Sequence, residues 1–164
     1  MTWQERITDL YETRAWPLGI AGRPQFYPGA DAAQLVHAEA ALDVSLPESF
    51  RSLLKETDGV MDMLAIDGGE WFESMWLLWS AGEIVKQNRY YRGKREKFPG
   101  DRDFSRLVFF AHAGTDGIGF AFPVEGRACA QRVLVWHPIR DTVAEIAPSL
   151  EEFLDGWLTG TITV

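Results

Sequence analysis

Residues 32–59 read A-A-Q-L-V-H-A-E-A-A-L-D-V-S-L-P-E-S-F-R-S-L-L-K-E-T-D-G, and two consecutive helices are written in them. Asp31 and Gln34 just upstream form a capping pair, each side chain able to satisfy the other's orphan amide. Leu35, Ala38, Glu39 and Leu42 then recur on one stripe, which predicts a helix over about 32–42. Leu46-Pro47 restarts the chain, and proline suits the first helical position. Phe50, Leu53 and Leu54 supply the apolar face of the next helix. Asp58-Gly59 ends it, because glycine adopts positive φ without steric cost.

Toward the N-terminus, Thr2 with Glu5 repeats the capping pattern, and Trp3, Ile7, Leu10 and Tyr11 share a face. A helix over about 3–14 is expected. Residues 16–30 carry Pro17, Pro24 and Pro28 with Gly19, Gly22 and Gly29, which predicts a long loop. Toward the C-terminus, Asp67-Gly68-Gly69-Glu70 reads as a turn and Trp71 to Trp79 as a strand. Ser80 with Glu83 opens a helix to about Tyr90. Strands are expected at Leu107 to Ala111, Ile118 to Phe122, Val133 to Trp136 and Thr142 to Ile146. Ser149 with Glu152 caps a last helix bearing Leu150, Phe153, Leu154, Trp157 and Leu158.

Helices, then consecutive strands with short turns, then a helix predict an α+β fold. Its expected form is a mostly antiparallel sheet of about 4–6 strands, with the N-terminal helices and the C-terminal helix covering one face. The 164 residues suit one domain over 1–164, and 46% apolar content suits a packed core. One cysteine, Cys129, leaves no internal disulfide. No signal-peptide pattern opens the chain, and no stretch approaches the roughly 18 apolar residues of a membrane span. The cytoplasm is the expected compartment.

The net charge of −8 is unevenly spread. Residues 31–80 hold ten acids and two bases, whereas residues 81–110 hold four acids and eight bases. Such a field steers association with an oppositely charged partner. Arg89, Arg92, Lys94, Arg95 and Lys97, near Tyr90, Tyr91 and Phe98, interleave bases with aromatics as single-strand binders do. The acidic chain as a whole opposes a polyanion, so nucleic acid is not the expected ligand.

The stretch quoted first resembles the SMI1/KNR4 family, also called the SUKH superfamily. Glu39, Leu42, Leu46, Pro47, Phe50, Arg51, Leu53, Leu54 and Gly59 occupy the places of that family's opening pattern. Leu78-Trp79-Ser80, Glu83-Ile84, Asn88, the Gly114-Thr115-Asp116-Gly117 turn, Val133 to Trp136, Ile146-Ala147 and Phe153-Leu154 continue it in order. Asp43 and Asp58 stand where glycine and asparagine are usual, and both residue types tolerate tight turns. The similarity runs from about residue 31 onward; the first 30 residues have no counterpart. The resemblance implies an α+β fold and a shared activity of protein binding. Many bacterial members look like immunity proteins that neutralise toxins, often nucleases or deaminases, and fungal members act as interaction hubs in signalling.

The residues offer little chemistry. Gly114, Gly117 and Gly119 precede a strand, so they fit a hairpin turn better than a phosphate cradle. His37, His112 and His137 lie too far apart for a short-spaced metal set. Cys129 carries no nucleophile signature, and no G-x-S-x-G elbow is present. No catalytic residue, metal or cofactor is expected. An enzyme or small-ligand site would most plausibly use a cleft near His112 and Asp116.

The expected contact surface for a protein partner is Asp58, Asp62, Asp67, Glu70, Trp71, Glu73 and Trp76, with Asp116. Large aromatics rimmed by acids would suit a basic toxin domain such as a nuclease. An endogenous regulatory partner is the alternative.

Overall fold

A computed structural model describes residues 1–93 and 102–164. The N-terminal half contains helix α1 (Trp3–Thr13), strand β1 (Ile20–Phe26), helices α2 (Ala32–Leu42) and α3 (Glu48–Glu56), and strands β2 (Val60–Ile66) and β3 (Phe72–Leu78). Helix α4 (Ala81–Gly93) and a short 3-10 turn (Phe104–Arg106) follow. Strands β4 (Leu107–His112), β5 (Gly119–Glu125), β6 (Ala128–Cys129), β7 (Val133–His137) and β8 (Thr142–Ala147) then lead to α5 (Leu150–Thr159). This is an α+β fold with N-terminal helices, antiparallel strands and a C-terminal helix. Lys94, Arg95, Lys97 and Phe98 of the basic stretch lie outside the described residues.

The helix starts obey the capping rules. Thr2 and Asp31 each close a reciprocal capping box, with Glu5 and Gln34 respectively. Ser80 and Ser149 each accept the amide three residues on. Pro47 is the N-cap of α3, one residue before the position expected, with its fixed φ leading into Glu48. Asp43 ends α2 in the left-handed region at φ 52°, the conformation glycine would take there.

The strands form two antiparallel sheets rather than one: β1-β2-β3, and β4-β5-β7-β8 with β6 paired to β5. Strand β1, at the edge of the small sheet, is the main departure from the sequence reading. Residues 16–30 are not simply a loop, because Ile20–Phe26 pairs with Ile66–Val60 in register throughout. An edge strand accommodates Pro24, whose missing N–H would break a central ladder. Gly22 is required for a different reason: any side chain there would run into the Trp16 ring.

Helices also cover both faces of the larger sheet, not one. On one face Phe50 of α3 packs on Phe110 and Phe122, and Phe153 of α5 packs on Phe110 and Phe120 at 5.6 and 4.7 Å. On the other, Tyr91 of α4 sits 4.6 Å from Phe109, with Phe104 and Trp136 beside it. Arg92, one of the bases interleaved with aromatics in the sequence, is half-buried. Its guanidinium donates to the carbonyls of Leu42 and Leu107, and burial lowers its pKa.

The two sheets meet where β3 ends. A bulge between Phe109 and Ala111 leaves Phe110 outside the β4–β5 ladder, and its carbonyl accepts from Trp79 N–H at 2.9 Å. Asn88 fills the adjacent place as a strand would. Its amide accepts from Phe109 N–H and donates to Phe109 C=O, both at 2.8 Å, and donates again to Ile84 C=O.

Candidate partner-binding site

The small sheet has two unequal faces. Directly paired residues share a face, so Ile20, Gly22 and Pro24 lie with Ile66, Leu64 and Asp62 on one side. Helix α1 takes this side: Tyr11 Oη donates to Asp62 at 3.0 Å, and Trp16 covers Gly22. The other side carries Arg23 and Gln25 on β1, Met61, Met63 and Ala65 on β2, and Glu73 and Trp76 on β3. Met61, Met63 and Ala65 are buried, yet they stand apart from the main hydrophobic cluster.

The side chains that share this outer face are few and specific. The Arg23 guanidinium lies 4.3 Å from the Trp71 ring centroid. Tyr27 packs against Trp76 at 5.5 Å. Burial and the nearby Glu73 carboxylate push the Tyr27 phenol up, which places that acid beside the Tyr27–Trp76 pair. The turn at the sheet's far end adds apolar surface, with Ile66, Trp71 and Phe72 exposed by 52, 38 and 43% and Leu18 fully exposed. Exposed apolar groups collected in one place mark interaction surfaces in a way that scattered ones do not.

The acids expected at the surface separate into two groups. Asp58 is tied inward, accepting the Ala81 amide at 2.7 Å and so capping α4. Asp62 holds Tyr11, and burial raises its pKa despite that hydrogen bond. Asp67, Glu70 and Glu73 are exposed around the aromatic tip. Asp67 adopts φ 50° in the β2–β3 turn, and its amide donates to Gly19 C=O at 2.7 Å, joining the β1 end to the tip. Asp116 sits at φ 52° in the β4–β5 turn, which approaches β3 because a side chain at Gly114 would meet Met75 Sδ at 2.9 Å. Of the aromatics, Trp79 is buried and 6.0 Å from His112, Trp76 is half-buried, and Trp71 and Phe72 are exposed.

Arg23 and Tyr27 join this face, and Ile66 and Leu18 its tip, without having been expected there. Arg23 and Leu18 were hidden inside a Gly/Pro-rich stretch that reads as loop. Their one available signal was Arg23 between Gly22 and Pro24, too short a pattern to reveal an edge strand.

The cleft beside Asp116 has a volume of about 260 Å³ and is lined by Ile118, His137, Pro138, Ile139, Arg140 and Val164 as well. His112 serves elsewhere. Its Nδ1 accepts the Gly114 amide at 3.0 Å, and burial lowers its pKa, so the neutral ring is used to hold the turn. Cys129 is buried and its thiol is pushed up to about 12. Among the described residues, no group of three His, Cys, Asp or Glu side chains could hold a metal ion, and no helix is long and apolar enough to cross a membrane.

The model of the SMI1 / KNR4 family (SUKH-1) matches residues 29–156. No curated protein matches the chain.

Proposed function

Because the chain belongs to the SMI1/KNR4 (SUKH-1) family, we propose that it is a protein-binding module of the immunity type, which neutralises a bacterial toxin by covering it. The observation that carries this reading is the tip of the small sheet, where Trp71 on the outer face and Ile66 and Phe72 on the other side are exposed amid Asp67, Glu70 and Glu73. Aromatic anchors supply contact energy in interfaces, and surrounding charge sets encounter rate and partner choice. The sign of that charge favours a basic partner, such as a nuclease domain whose own surface attracts nucleic acid. Binding rather than catalysis is the expected mode of action. Of the two histidines near the Asp116 turn, His112 already uses its Nδ1 to accept the Gly114 amide.

Capture on the tagged protein from native lysate, with mass-spectrometric identification, supplies the partner. Its gene is then expressed from an inducible promoter with and without this protein. Growth arrest that coexpression relieves is the expected result. A partner whose expression leaves growth untouched would replace the toxin with an endogenous one. Absence of any stoichiometric partner would remove the binding reading itself.

A further inference from the structure

The stack of Arg23 on Trp71 carries a more specific consequence, which rests on the protein-binding reading. Arg23 is exposed, stands on an edge strand, and faces Glu73 across Met63 in the register of the small sheet. Its described contact is the indole ring at 4.3 Å. An exposed ring that holds one guanidinium at this distance presents its π-face to cations. The three exposed acids around it, Asp67, Glu70 and Glu73, favour a cation there and disfavour a second copy of this chain, whose net charge is also negative.

We infer that Trp71 is a cation-receiving ring held by Arg23 in the free protein, and that an arginine presented by a basic protein partner takes its place on docking. Arg23 is thus a placeholder. It shields the apolar ring from water and from weak encounters, and it swings aside when a guanidinium arrives with flanking bases that the acids hold. Arginine suits the role better than lysine, because its planar, weakly hydrated head stacks on aromatic faces. Displacement breaks no covalent bond and exchanges one stack for another, so selectivity comes from the additional charge pairs around the ring.

The test uses the full chain and a defined probe, an eight-residue peptide of alternating Arg and Gly, followed by NMR. The Trp71 indole signal is assigned from the cross-peak lost in Trp71→Phe. Adding peptide is expected to shift the Trp71 indole and to return the ring-shifted Arg23 side-chain resonances toward free-arginine positions. Arg23→Ala is expected to tighten peptide binding roughly two- to fivefold, the factor an exposed cation–π contact is worth. Arg14 stacks on Trp16 at the same 4.3 Å on the other side of the sheet, so Arg14→Gln removes an equal charge as a control and should change affinity less. The proposal is overturned if Arg23 keeps its ring shift while peptide binds, if the two variants behave alike, if the peptide shifts other tryptophans and spares Trp71, or if sedimentation shows self-association lost in Trp71→Ala. None of these results touches the capture experiment, which tests the protein-binding reading independently.

Discussion

Replacing Asn88 with alanine should cost this protein a large part of its stability. The Asn88 side chain is 1% exposed and makes three hydrogen bonds of 2.8 Å, two of them to the backbone of Phe109. Phe109 lies on β4, the outer strand of the larger sheet, so among the described residues no neighbouring strand offers those bonds. Truncation leaves one buried N–H and one buried C=O without partners, at about 1–3 kcal/mol each. The Ile84 carbonyl keeps its place in the helical ladder, so its loss adds little. A total of about 2–6 kcal/mol follows, against a domain stability of about 5–15 kcal/mol. With a urea slope of about 2 kcal/mol per molar, the unfolding midpoint should fall by roughly 2 M. Urea titration followed by tryptophan fluorescence reads the shift. A loss below about 1 kcal/mol would show that the amide does not substitute for a strand, and that water or a shift of α4 satisfies Phe109 instead.

Asp62→Asn should leave stability at neutral pH equal to or above that of the wild type. Burial raises the Asp62 pKa in the folded state, so its favourable contribution is complete below the unfolded-state value and is lost as pH rises through the folded one. Asparagine keeps an acceptor for Tyr11 Oη without the charge, and thermal melts from pH 4 to 7 should show a flatter profile; a loss of stability at pH 7 would mean that the charged pair is favourable. The Cys129 thiol, at about 12, should react with maleimide at pH 7.5 many times more slowly in the native protein than in urea. Labelling at equal rates would contradict its burial.

The helices were legible because their signals are local. Capping pairs at Thr2, Asp31 and Ser149 and apolar stripes such as Phe50, Leu53 and Leu54 depend on neighbours a few residues apart. Strand β1 was hidden because its evidence is not local. Gly22 and Pro24 look like loop residues until Trp16 lies over one and the edge of a sheet accommodates the other. The same applies to Asp58 and Asp62: sequence places them in an acidic run, but the cap on α4 and the bond from Tyr11 appear only once distant segments meet. The exposed acids of the β2–β3 turn were readable because Asp67-Gly68-Gly69-Glu70 is a turn in any context. Arg23 could not be joined to Trp71 across 48 positions without the strand pairing that aligns them.

The proposed function is association through the acidic aromatic tip. Its most direct test is stopped-flow association of the captured partner with the wild type and with Asp67→Lys/Glu70→Lys, each over a range of salt. Both side chains are exposed, and lysine at the φ 50° of position 67 costs about 1–2 kcal/mol, so the variant should still fold. The predicted result is a wild-type rate that falls as salt rises, and a variant rate that is at least tenfold slower in low salt and nearly independent of salt. Equal rates and equal salt dependence in the two proteins would contradict it.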